Sequence, residues 1–129
     1  MKVEPPVRSE EDKLEDGIEA IADPLARYKG RVQAAIFRSW LQLARTHTDK
    51  LKTGTIKVKF YVTLDGRVQD VENLNEDTAG KEMRNLKLDA VLMANPPPIP
   101  EWLIRNRKEA FEGERLRMTI DMPYKSTNN

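Results

Sequence analysis

Cysteine is absent from this 129-residue chain, histidine occurs once, and aromatic residues make up only 6%. Without cysteine there is neither a disulfide framework nor a thiolate zinc site, and a lone His47 would need several carboxylates to hold a metal. Long apolar runs are missing too. The longest stretch free of charge, Ala90 to Pro100, contains four prolines. Nothing therefore approaches the ~20 apolar residues that cross a bilayer, and no signal peptide is expected at the start. Glycine is sparse, and Gly54, Gly66, Gly80 and Gly113 fall singly at expected element boundaries. That scatter offers no glycine-rich phosphate loop. These absences argue against a membrane-spanning protein, a collagen-like fibre or a cysteine-dependent module. A soluble chain is expected.

What is present is charge. Charged residues make up 33% of the chain and hydrophobic residues 39%, against roughly a quarter charged in an average domain. The length suits one domain, able to bury roughly two-thirds of its unfolded surface without staples. A net charge of +1 conceals an asymmetry: Met1 to Asp23 holds eight acids against Lys2, Arg8 and Lys13, net −5, which leaves +6 for the rest. Zero cysteine is compatible with a reduced cytosol and with a periplasm alike.

Residues 1–23 are expected to be an acidic linker, partly helical. Pro5-Pro6 favours extended geometry, while Ser9 with Asp12 resembles a capping box ahead of Leu14, Ile18 and Ile21 at helical spacing. A domain is expected over 24–124. Asp23 and Pro24 form a helix start, and Leu25, Tyr28, Val32, Ile36, Leu43 and marginally Trp40 make one apolar stripe to about Thr48. Arg27, Arg31, Arg38 and Arg45 share another face, most simply a solvated one; Phe37 and Leu41 lie off both stripes, implying a second packing partner or an exposed apolar flank. Thr55 to Leu64 alternates as a strand. Asp65-Gly66 predicts a two-residue primed turn, and the return strand to Leu74 needs a bulge near Gln69-Asp70 to reconcile Val68 with Val71. A second helix, Ala79 to Ala94, puts Met83, Leu86, Ala90 and Met93 on one side and ends at Pro96-Pro97-Pro98. A short helix from Pro100 and a last strand, Glu114 to Met122, follow, with residues 125–129 a flexible tail.

Little in this order carries chemistry. Nothing stands four residues from His47 to join it as a ligand; Ser9, Ser39 and Ser126 lack a nucleophile context; and pairs such as Glu10/Glu11 lie in the linker, where no pocket can shift their pKa. No catalytic residue, metal or cofactor is expected, and the chain does not read as an enzyme. A small basic nucleic-acid-binding domain is the alternative class. Arg27, Arg31, Arg38, Arg45, Lys57, Lys59, Arg115 and Arg117 supply positive charge, yet only Tyr61 is offered as a stacking platform.

The order of the motifs resembles a known family. YKGRVQAAIFRSW on the first helix, GTIKVKFYVTLDGRVQDV as a hairpin, a second helix ending in ANPPPIP and the strand RLRMTIDM are together similar to the C-terminal domain of the TonB/TolA energy transducers, over about Leu25 to Tyr124. Tyr28, Val32 and Ile36 and the helix-to-proline run look closer to TolA. Lys29 after Tyr28 and Asn75-Glu76-Asp77 after the second strand depart from the TonB pattern, and the cysteine pair of some TolA domains is missing.

The resemblance implies an α+β fold: a three-stranded antiparallel sheet, first strand central, with two main helices on one face. It implies a periplasmic domain, tied by an N-terminal anchor to an inner-membrane motor complex, that transmits proton-motive force to an outer-membrane receptor or periplasmic protein. It also implies an open edge on the last strand, where a partner adds a strand beside Arg115, Arg117, Met118, Thr119, Ile120 and Asp121. Arginine at two alternate positions would favour an acidic segment. The alternative partner face is Arg27, Arg31, Arg38 and Arg45 with Phe37 and Leu41. No small-molecule substrate is expected.

Overall fold

Asp23 and Pro24 do start the longest helix: the Asp23 carboxylate accepts the Ala26 N–H at 3.1 Å. The computed structural model describes residues 10–126; Pro5-Pro6, Ser9 and residues 127–129 lie outside them. In chain order the elements are α1 (Glu10–Glu19), α2 (Pro24–Thr46), β1 (Lys57–Val62), β2 (Val68–Asn73), α3 (Lys81–Met93), α4 (Glu101–Asn106), β3 (Phe111–Glu112) and β4 (Arg115–Asp121). They form an α+β fold around one antiparallel sheet of order β2-β1-β4-β3.

β1 is central, between β2 and β4, as expected of the three long strands. Its alternation sets the layers. Val58, Phe60 and Val62 of β1 and Leu116, Met118 and Ile120 of β4 are buried with Val32, Ile36 and Trp40 of α2 and Met83, Ala90 and Val91 of α3. Both main helices therefore cover one sheet face, and Lys59, Tyr61, Arg117 and Thr119 lie on the other. At roughly 25 cal/mol per Å² this burial dominates the stabilisation.

Three expectations are corrected. The sheet has four strands rather than three, because Gly113, at φ 65, turns Phe111–Glu112 back onto Arg115 and Leu116. That positive φ at the first turn position suits glycine. The β1–β2 turn is not a two-residue primed turn. Thr63 pairs with Arg67, its N–H donating to the Arg67 carbonyl at 2.9 Å, so Leu64, Asp65 and Gly66 form a three-residue loop with Gly66 at φ 86. On α3, Met93 is exposed, and Lys87 and Val91 are buried instead. Met93 sits roughly a quarter-turn off the stripe defined by Met83, Lys87, Ala90 and Ala94 at 3.6 residues per turn.

The bulge lies where expected. The register between β1 and β2 slips by one residue between Lys59 and Tyr61, and Asp70 adopts φ 52 there. Aspartate tolerates this left-handed conformation better than most residues.

Within 1–23, the residues that were expected to be partly helical form α1, which runs back along α2. Leu14 lies beside Ala34 and Phe37, and Ile18 is buried against Gly30, where a Cβ would come within 3.3 Å of its Cγ1. Glu19 pairs with Arg31, and Arg27 Nε donates to the Ile21 carbonyl at 3.0 Å. Phe37 borders α1 but stays partly exposed, so it is closer to the apolar flank than to a buried packing site. At the other end, the Ser126 N–H donates to Thr53 Oγ1 at 2.9 Å, which ties the start of the expected tail to the domain.

The proline run is a strap over the hairpin turn. Tyr28 Oη donates to the Pro97 carbonyl at 2.7 Å, and the Ile99 N–H donates to the Leu64 carbonyl at 2.9 Å. Burial pushes the Tyr28 hydroxyl well above the ordinary tyrosine range. Gly66 is required twice, by its positive φ and because a Cβ would collide with the Pro96 carbonyl. Gly66→Ala is expected to cost roughly 1–3 kcal/mol in urea unfolding; an unchanged midpoint would mean that strap and turn do not touch in solution.

Candidate partner-binding edge

Which backbone groups of β4 are free follows from its pairing with β1. Tyr124 and Gly54 exchange hydrogen bonds at 2.7 and 2.9 Å, and the Met122 N–H donates to the Ile56 carbonyl at 2.8 Å. The register continues through Ile120 opposite Val58 and Met118 opposite Phe60. Antiparallel ladders alternate hydrogen-bonded and non-bonded pairs. Residues 116, 118, 120 and 122 therefore bond to the β1 side, whereas the N–H and C=O of Arg115, Arg117, Thr119 and Asp121 point away from it. β3 pairs only with Arg115 and Leu116. From Arg117 to Asp121 the edge has no strand partner among the described residues. Sequence alternation could not reveal β3, since a two-residue strand has no period; the Glu112-Gly113-Glu114 turn was its only signal.

On the open face the expected partner-binding arginines are engaged within the sheet. The Arg115 guanidinium lies 4.2 Å from the Tyr61 ring centroid, and its Nη1 is 2.5 Å from Asp70 Oδ2. The bulge aims Asp70 across β1, linking β2 to β4. Arg117 Nη1 meets Glu112 Oε1 at 3.0 Å, and Tyr61 Oη donates to Glu112 Oε2 at 2.8 Å. The Tyr61 hydrogen bond, helped by Arg117, holds the Glu112 carboxyl below its ordinary range. Exposed pairs of this kind contribute only ~0.2–1 kcal/mol each. They fix orientation more than stability. Neither arginine presents an uncompensated charge to an incoming segment.

Met118 and Ile120 face the core. Beyond them, on the helix side of the edge, is a cleft of about 200 Å³ whose walls include Ile36, Phe37 and Trp40 of α2 and Ile120, Met122 and Pro123. Trp40 packs edge-on against Tyr124, with centroids 5.8 Å apart. Sequence reasoning missed this cleft, because it arises from the offset between one helix and one strand end.

No protein-family model matches the chain, and neither a curated protein nor a solved structure matches it.

The alternative face on α2 is divided. Arg27 and Arg31 are tied to the α1 segment, Ala34 is covered by it, and Phe37 remains 38% exposed at its margin. Leu41 is half-buried and Arg45 exposed further along the helix, and Arg38 borders a separate cleft with Ser39 and Gln42. His47 ends α2, with Nδ1 2.9 Å from the Leu43 carbonyl oxygen. Among the described residues there is no cluster of His, Asp and Glu that could hold a metal, and no helix long and apolar enough to cross a membrane.

Proposed function

We propose that this chain is a non-enzymatic, protein-binding domain of the TonB/TolA C-terminal kind, which takes an extended segment of its partner onto the free edge of β4. The observation that carries this reading is the stretch from Arg117 to Asp121, without a strand partner among the described residues and with the N–H and C=O of three alternate residues directed outward. Main-chain bonding of that kind gives affinity to strand addition. The order β2-β1-β4 with both helices on one face supports the kinship. The proposal places the domain in the periplasm, where it couples an inner-membrane motor to outer-membrane or periplasmic proteins. The nucleic-acid alternative draws no support from three of its six arginines. Arg31, Arg115 and Arg117 each meet an acid within the fold.

Thr119→Pro tests the edge. Proline lacks the outward N–H but leaves the β1 ladder intact, and edge strands tolerate it at such a position. The variant is expected to keep its melting temperature within a few degrees, since surface changes rarely exceed ~0.5 kcal/mol. A photocrosslinking residue at Thr119 of the full-length protein in a Gram-negative cell is expected to trap an envelope protein. The same residue at Arg45 is not. Crosslinks from Arg45 alone would move the site to the helix.

A further inference from the structure

We infer that the segment taken by β4 carries a bulky apolar residue immediately next to a lysine or arginine; this rests on the strand-addition reading and specifies its partner. Two features at one end of the free edge lead to it. The first is the cleft beneath Ile120, whose helix-side wall is Gln33, Ile36, Phe37 and Trp40, without a charge. Of the two ionic residues among those that line it, Lys87 is neutralised by Asp77 at 2.8 Å, and the other is Asp121 at the strand end. The second is Asp121. Its side chain is 70% exposed, and its ion pair among the described residues is with Lys57 at 4.0 Å, the outer limit of such contacts.

Strand geometry joins the two. A residue paired opposite Ile120 on an added strand projects to the same face as Ile120, over the cleft. The residue opposite Asp121 is its immediate neighbour and projects to the other face, beside the carboxylate. This adjacency holds whether the added strand runs parallel or antiparallel. Charge complementarity thus favours a cation there, because Arg117 already faces Glu112 at 3.0 Å while Asp121 is the weakly met charge of the free stretch. The acidic preference implied by the two arginines gives way to a basic one. Apolar burial in the cleft supplies affinity, and the carboxylate supplies selectivity.

The probe is the capped heptapeptide acetyl-Thr-Val-Thr-Leu-Lys-Val-Thr-amide, titrated into the ¹⁵N-labelled full chain. Shift changes are expected over 117–122 and at the Trp40 indole and Phe37. Replacing the peptide leucine by glycine is expected to weaken binding roughly tenfold or more, the equivalent of one large apolar side chain leaving its site. Replacing the lysine by glutamate is expected to weaken it by about two- to fivefold. Asp121→Lys should invert that preference, binding the glutamate peptide better than the lysine one, an exchange that a merely structural role for Asp121 would not produce. Phe37→Ala, at a partly exposed position, should reproduce the leucine effect from the protein side. Equal binding of the leucine and glycine peptides, no inversion with Asp121→Lys, or no shift from the parent peptide at its solubility limit would overturn the inference. Thr119→Pro separates the two levels. If it abolishes peptide binding while side-chain swaps change nothing, strand addition stands and the recognition rule falls. If binding survives it, strand addition itself falls.

Discussion

Asp77→Asn is expected to lower stability by about 3–5 kcal/mol, the usual cost of breaking a buried ion pair from one side. Lys87 and Asp77 are 1% and 0% exposed at the side chain, with Nζ 2.8 Å from Oδ2. Lys87 Nζ also donates to the Gly54 carbonyl at 3.2 Å, so the pair ties α3 to the segment that enters β1. Asp77 Oδ1 separately accepts the Ala79 N–H at 2.8 Å just before α3 begins. Asparagine keeps an oxygen for that bond but turns an N–H donor toward the Lys87 ammonium, so the charge and its acceptor are lost together. Lys87→Met keeps the aliphatic stem and strands the carboxylate instead, with a similar expected loss. The double variant should be more stable than either single one, because no uncompensated charge remains in the core. Urea unfolding of the four proteins measures the coupling. Additivity within ~0.5 kcal/mol would show that the two charges do not sense each other.

That pair marks the limit of pattern reading. Periodicity shows where lysine and aspartate fall on a helix or loop, and both types are ordinarily solvated. Helical spacing puts Lys87 on the stripe of Met83 and Ala90, but it cannot show that the lysine faces a loop aspartate ten positions earlier. The strands were legible for the opposite reason. Val58, Phe60 and Val62 alternate without exception, and so do Leu116, Met118 and Ile120, because burial of one face forces a period of two. The bulge at Asp70 was readable because Val68 and Val71 cannot both face the core without it. The site was half legible: β4 and its outward residues followed from alternation, but the ties that hold Arg115 to Asp70 and Arg117 to Glu112 come from neighbours brought by β2 and β3. A preference read from the two arginines alone takes no account of these internal partners.

Phe60→Ala is expected to cost about 3–5 kcal/mol, the range for emptying a fully buried aromatic site. Phe60 is wholly buried, and it sits mid-way along the central strand, opposite Met118 of β4 and level with the bulge in β2. That place makes collapse difficult. The backbone on either side is held by two ladders, and the helices above are held by Tyr28 on the proline strap and by Lys87 on Asp77. The cavity should stay largely open, adding to the lost transfer energy rather than closing over it. Since domains are stable by only ~5–15 kcal/mol, the variant is expected to sit near the edge of folding at 37 °C. Phe60→Leu fills most of the space and should cost less than about 1.5 kcal/mol if its neighbours repack. Urea midpoints at constant m-value measure both. A loss below about 1.5 kcal/mol for alanine would mean that β1 shifts to fill the void. The same shift would slide Thr119 and Asp121 along β1's register, so the peptide titration on Phe60→Ala should then change together with its stability.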